Sequence, residues 1–260
     1  MAVADSAPFL RERRLILALL LLLAAAAWGL LIWQASAMNG QAMGMNTGLT
    51  MGMSGVLFIA IWIAMMVAMM FPTASPMILM FARVSASKRQ RAQAFVPTWV
   101  FVSAYLLIWT LFGVAAYPLA LLAERLAGQS MWLMENGPRL GGALLVAAGI
   151  YQLSPLKRVC LSKCRTPFQF IMTSWHDGYG GAFRMGIEHG AYCLGCCWLL
   201  FVILFPLGIM NIAIMAVLTA LIFAEKALPI GRQLSLLAGV ALVAYGAVVV
   251  FVPAALPLAM

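Results

Sequence analysis

"GIEHGAYCLGCCWLLFVILF", residues 186–205, places a glutamate, a histidine and three cysteines at the start of an apolar run long enough to enter a bilayer. Hydrocarbon penalises such groups unless each finds a partner. The stretch therefore raises two questions together: what bundle surrounds this helix, and what do its sulfurs hold?

Composition answers the first. The chain is 65% hydrophobic and only 9% charged, too little charge to cover a soluble surface. The net charge is +9, but the basic residues fall in short clusters between apolar runs. That is the pattern of membrane orientation, so no nucleic-acid partner is expected. Five cysteines in 260 residues do not read as a disulfide framework.

Apolar runs at residues 15–33, 56–82, 95–122, 140–156, 185–206, 208–224 and 234–252 predict an all-α polytopic transmembrane helical bundle of about seven spans. Arg11, Arg13 and Arg14 precede the first span, and Arg83, Lys88, Arg89 and Arg91 follow the second. Lys157, Arg158, Lys163 and Arg165 follow the fourth, and Lys226 and Arg232 separate the last two. Only Arg125 and Arg139 fall on the other side, so the N-terminus is expected in the cytoplasm. The location implied is a bacterial inner membrane, crossed many times.

The expected organisation is a basic cytoplasmic segment (1–14), an anchor (15–33), a methionine-rich extracytoplasmic loop (34–55) and a polytopic metal-binding domain (56–260). The first run is too long for a typical leader and is read as retained. Residues 166–184 are expected at the interface, where Trp175 and Tyr179 fit. Asn211 is expected to cap the sixth span. Glu225 and Lys226 read as an ion pair that snorkels and anchors its inner end. No transporter-length repeat and no nucleotide-binding motif is visible, so any transport would be passive, gradient-coupled or partner-driven.

On the fifth span, a helix places His189, Cys193 and Cys196 within roughly 60° of one another, with Cys197 about 100° on from Cys196 and toward a neighbouring face. Cys196 then lies on the order of 16 Å from the cytoplasmic end. A single cysteine there would be a small buried hydrophobe. Three cysteines, two of them on one face with an imidazole, point instead to a bound cation. Because Cys197 diverges, this helix alone does not complete a closed tetrahedral zinc site, and Zn(II) is the lesser expectation. Cu(I) needs only two or three soft ligands and accepts thioethers.

The second span carries "IWIAMMVAMMFPTASPMILM", in which Met65 and Met69, and Met66 and Met70, each share a helical face. Methionine is also a common gap filler, so packing and thioether coordination both fit. Pro72 and Pro76 are expected to kink the helix and free carbonyls. Met38, Met43, Met45, Met51 and Met53 populate the uncharged outer loop as a soft-metal collecting segment would. The second and fifth spans are expected to touch, so that methionines complete the cysteine site.

"KRVCLSKCR", residues 157–165, sets Cys160 and Cys164 four apart beside four cations. If helical, their thiols share a face and the cations favour thiolate. They fit a metal exit site, a docking point for a carrier or a reversible disulfide; inert or acylated juxtamembrane cysteines are the alternative. His176 and Asp177 are not assigned as ligands.

"WIAMMVAMMFPTASP", "YQLSPLKRVCLSKCRTP", "GIEHGAYCLGCCW", "GIMN" and "EKALPIG" together resemble a bacterial family of predicted metal-binding integral membrane proteins, often labelled copper chaperones. The resemblance runs over residues 57–231, in order and spacing. It implies that Met66, Met69, Met70, Cys160, Cys164, His189, Cys193, Cys196 and Cys197 matter for metal. The reading reached is a membrane-embedded Cu(I)-binding protein for copper handling, transfer or delivery, more a binder than an enzyme. Its partners would be the lipid bilayer, the metal ion and a cytosolic or periplasmic carrier or larger complex. A membrane thiol–disulfide oxidoreductase and an accessory subunit of a respiratory or photosynthetic complex are the alternatives. No catalytic residue and no organic cofactor is assigned.

Overall fold

A computed structural model describes residues 7–41, 48–90 and 96–256; Met43, Met45 and Arg91 lie outside them. The described elements are helical, in the order α1 (Ala7–Gln41), α2 (Gly55–Gln90), α3 (Thr98–Gln129), α4 (Met131–Leu153), α5 (Pro155–Arg165), α6 (Pro167–Ser174), α7 (Gly178–Val202), α8 (Leu204–Leu207), α9 (Ile212–Ala227) and α10 (Gly231–Phe251).

Among these residues, α1, α2, α3, α7 with α8, and α10 are long and apolar enough to cross a membrane. A sixth crossing is possible if α4 and α5, bent by 62° at their junction, count as one. The sixth expected span, at 208–224, is α9, whose 16 residues make about 24 Å of helix and fall short of that length. The span edges also move: residues 124–138, between the third and fourth expected spans, are helix except at Ser130, and part of the outer loop is the C-terminal end of α1.

Two ends of the bundle differ in chemistry. At one, Arg89 pairs with Glu12 at 2.9 Å, Lys88 pairs with Asp177, and Arg165 donates to the carbonyl of Leu228 at 2.7 Å. At the other, Glu124 accepts from the backbone and hydroxyl of Thr50, and the Tyr117 hydroxyl donates to the Met53 carbonyl. The sequence clusters of Lys and Arg thus meet through contacts at a common end. Met53 is buried in the tight turn that contains Met51 and Gly52, and is not held out toward solvent.

Breaks and bends follow local chemistry. Ser154 caps α5 by accepting from the amide of Lys157 at 3.2 Å, and Pro155 at its first position cannot continue the α4 hydrogen-bond ladder. Pro167 begins α6 in the same way. Asn211 caps α9 through the amide of Ile214 at 3.1 Å, as expected. Inside α2, Pro72 removes the amide that would bind the Ala68 carbonyl, and the Trp28 indole of α1 donates there instead at 3.2 Å. The helix is continuous through Pro72 and Pro76, and the freed Pro72 carbonyl accepts from the Ser75 hydroxyl at 2.9 Å.

The closest helix pair is α4 with α10, where Gly142 and Gly149 face Gly246 and Gly239. A Cβ at Gly149 would meet the Gly239 carbonyl oxygen at 2.7 Å. Bare glycine is what lets these backbones approach so closely.

Candidate metal centre

The bend after α4 folds α5 back against α7, and this single turn decides the geometry of the sulfurs. Cys193, Cys196 and Cys197 are buried on α7. Cys164 of α5 brings its Sγ to 4.0 Å from the Cys196 Sγ. Cys197 is not turned aside as expected: four residues after Cys193, it lies only about 40° round the helix from it, and its Sγ is 3.2 Å from that of Cys196. The two Cβ directions diverge, but a thiol can rotate about its Cα–Cβ bond into a neighbouring staggered position and recover the distance. Side-chain contacts also join Cys193 to Cys164, Cys196 and Cys197. Cys160 is one turn before Cys164, and a Cβ at Gly195 would meet its Sγ at 2.9 Å. The two cysteine groups expected at different depths therefore form one neighbourhood, and all five thiols are free.

The polar company of the cluster is specific. The Lys226 Nζ lies 3.0 Å from the Cys193 Sγ, and the Tyr105 hydroxyl lies 3.2 Å from the same sulfur. Lys226 does not pair with Glu225. Glu225 instead accepts from Lys157 at 2.7 Å and from Gln152 at 3.0 Å, with both charged side chains 1% exposed. Adjacent helical residues point about 100° apart, so one enters the thiol cluster and the other enters a separate buried ion pair. Neither snorkels.

His189 sits one turn before Cys193, buried between the rings of Phe101, Tyr105 and Phe170. Its Nδ1 has no hydrogen-bond partner, an uncommon state for a buried imidazole nitrogen. The ring lines a cavity of about 200 Å³ together with Cys164, Lys226, Arg165, Thr73 and Met77. A larger hollow of about 790 Å³ at the opposite end is lined mostly by apolar side chains; its one carboxylate, Glu124, is already engaged by Thr50.

The methionines of α2 stand differently. Met65, Met66, Met69 and Met70 are fully buried in the apolar core. The α2 wall of the small cavity is Thr73, Ala74, Pro76 and Met77. The expected contact of the second and fifth spans is also less direct: α7 packs most closely on α3 and α5, while α2 reaches it through Trp62 against Phe201 and across the cavity. Sequence reasoning missed Met77, Thr73 and Tyr105, and gave Lys157 and Lys226 other roles. Met77, one turn beyond Thr73 and next to Pro76, was the one with a readable signal.

Among the described residues, no three His, Cys, Asp or Glu side chains surround a common metal position as they stand. Two sulfurs on one tetrahedral ion with metal–sulfur bonds of about 2.3 Å lie about 3.8 Å apart. The Cys164–Cys196 pair at 4.0 Å is near that value, whereas Cys196–Cys197 at 3.2 Å is drawn in. Rotation of Cys197 is what would open the set. His176 is exposed and bonded to the Ser174 carbonyl, away from this neighbourhood.

A family model described as "PpoB2: Copper chaperone" matches residues 59–249. The chain belongs to that family. The match takes in the whole cysteine neighbourhood, the methionine stripe and the Lys157–Glu225 pair, and leaves out all of α1. No curated protein and no solved structure matches the chain.

Proposed function

We propose that this copper-chaperone family member is a membrane-embedded binder of Cu(I), and that the ion is its cargo. The observation that carries the reading is the convergence of Cys164 from α5 with Cys193, Cys196 and Cys197 from α7. Thiolates are soft ligands suited to a monovalent soft ion, and two or three suffice. The His189 Nδ1, unpartnered beside the cluster, is the remaining donor. Cys160, partly buried and with its sulfur against Gly195 of α7, would serve as a handover thiol.

The membrane reading rests on the outer surface. Leu15, Leu22 and Trp33 of α1, Val114 and Leu119 of α3, and Leu237 and Val240 of α10 are each at least half exposed. Apolar side chains in such number fit hydrocarbon, not water. With the cationic end facing the cytoplasm, the N-terminus is inside and the cluster lies toward that side. Met66, Met69 and Met70 act in this reading as core packing. Transfer to or from a soluble carrier or a membrane partner completes the proposal.

Cu(I) titration and metal analysis of purified wild type and a Cys193/Cys196/Cys197→Ser variant test it. Stoichiometric copper in wild type and little in the variant is expected; equal, substoichiometric copper in both would sink the proposal. The Cys164–Cys196 contact also favours a second reading, thiol–disulfide exchange between α5 and α7. Thiol trapping under oxidising and reducing conditions separates the two. A Cys164–Cys196 disulfide that cycles without copper would favour redox chemistry.

A further inference from the structure

Lys226 is the one feature of the cluster that metal coordination alone does not call for. It is the C-terminal cation of α9. It is partly buried, lines the small cavity, and places its ammonium 3.0 Å from the Cys193 sulfur. Its sequence neighbour Glu225 offers it no charge, being committed to Lys157 and Gln152. Among the described residues Lys226 forms no ion pair with a carboxylate. Arg165, the other cation at the cavity, is held by the Leu228 and Pro229 carbonyls. A fixed positive charge is thus aimed at the sulfurs, in a cavity that Lys226 shares with His189, Thr73 and Met77.

We infer that Lys226 is a selectivity residue, a built-in counter-cation that makes the thiol cluster accept a monovalent soft ion and reject divalent ones. The inference rests on the copper-binding reading above and adds the charge rule by which the cargo is chosen.

Two thiolates around a monovalent ion carry one net negative charge, which Lys226 cancels. The same two thiolates around a divalent ion are already neutral, and Lys226 then leaves an uncompensated positive charge in a low-dielectric site. Whatever the number of sulfurs engaged, a nearby ammonium repels a divalent ion twice as strongly as a monovalent one. The two proton losses from thiols that accompany loading are the same in both cases, so they do not offset this difference. Position matters as well. An ammonium in contact with Cys193 fills space that a third or fourth ligand would need, which works against the closed four-coordinate shell that zinc prefers.

The test is a competition. Purified wild type, Lys226→Gln, Lys226→Met and Lys226→Arg are each offered Cu(I) and Zn(II) together under anaerobic buffering, and the bound ratio is read by elemental analysis. Helix content and a monodisperse elution profile show which variants are folded. Wild type and Lys226→Arg should hold copper and exclude zinc. Lys226→Gln and Lys226→Met should shift the ratio toward zinc by on the order of tenfold or more, the size expected when a unit charge a few ångströms away is removed. An unchanged ratio in either neutral variant, with copper still bound, overturns the inference. So does an equal shift in Lys226→Arg, which would make the effect one of shape rather than charge. The Cys193/Cys196/Cys197→Ser variant measured alongside keeps the two claims apart. If it retains copper, the binding reading fails; if it loses copper while the neutral Lys226 variants keep the wild-type ratio, only the charge rule fails.

Discussion

Two helices of this bundle are rich in sulfur, and they have different surroundings. The face of α7 that carries Cys193, Cys196 and Cys197 meets Cys164, Lys226, Tyr105 and an imidazole with an unused nitrogen. The stripe of α2 that carries Met65, Met66, Met69 and Met70 is buried in the apolar core, where the Met70 sulfur has one polar neighbour, the Thr73 hydroxyl at 3.9 Å, and nearby Trp62 is stacked on Phe58 and bonded to the Trp109 carbonyl at 3.0 Å. Both stripes look like soft-metal ligands when counted along the chain. Only one has polar groups that a packed core does not need. Polar company, more than ligand type, separates a site from a core.

The sharpest way to break that contrast is at the support of α5. Lys157→Met leaves Glu225 buried without its cation, which costs roughly 3–5 kcal/mol where a buried pair loses one partner. It should also release Cys164 from α7, since Lys157 lies in the first turn of α5. Thermal unfolding in detergent should show the destabilisation, and maleimide labelling of Cys164 should accelerate. A variant as stable as wild type, with Cys164 still protected, would separate the ion pair from the cluster.

A middle-sized effect is expected at the glycine seam. Gly149→Ala introduces a Cβ 2.7 Å from the Gly239 carbonyl oxygen. Overpacking of this kind costs about 1–3 kcal/mol. Copper stoichiometry should be unchanged, because the seam lies on α4 and α10 away from the thiols.

Replacing the methionines should do less. Met66→Leu and Met69→Leu conserve volume and should cost under about 1.5 kcal/mol, with Cu(I) affinity unaltered in titration. Met77→Leu, at the cavity wall, is the contrasting variant, and weakened copper retention there but not at Met66 or Met69 would sharpen the comparison. A loss at Met66 or Met69 would restore the stripe as a ligand set.

The smallest effect is at the cationic end. Asp177 accepts from Lys88 and from the Trp175 indole at 2.8 Å, and these hydrogen bonds hold its carboxyl below the usual aspartate range. A carboxyl lowered in the folded state contributes stability above its unfolded pKa and loses it as pH falls through the lower folded value. Wild type should therefore lose a small increment of stability in that acidic window, and Asp177→Asn should not. A full pH–stability series on both proteins checks the sign.

Much of the bundle could be read from residues alone. Apolar runs located the long helices, the Lys/Arg clusters marked a common end, and the i, i+4, i+7 spacing of His189, Cys193 and Cys196 identified the face that is buried. Other features depended on a bend. Ser154-Pro155 signals a helix start, but nothing local says that α5 turns back through 62° to reach α7. Without that angle, Cys160 and Cys164 read as a separate group. The opposite fates of Glu225 and Lys226 depend on which helices flank α9, and Tyr105 lies in an ordinary apolar run of α3. These contacts come from tertiary packing between segments far apart in the chain.

The central claim is that α5 and α7 share one copper ion. X-ray absorption at the copper edge of Cu(I)-loaded protein, wild type against Cys164→Ser, tests it most directly. The account predicts a sulfur-dominated first shell in wild type that loses one sulfur in the variant. A shell built of nitrogen and oxygen, or a sulfur shell identical in both proteins, would contradict it.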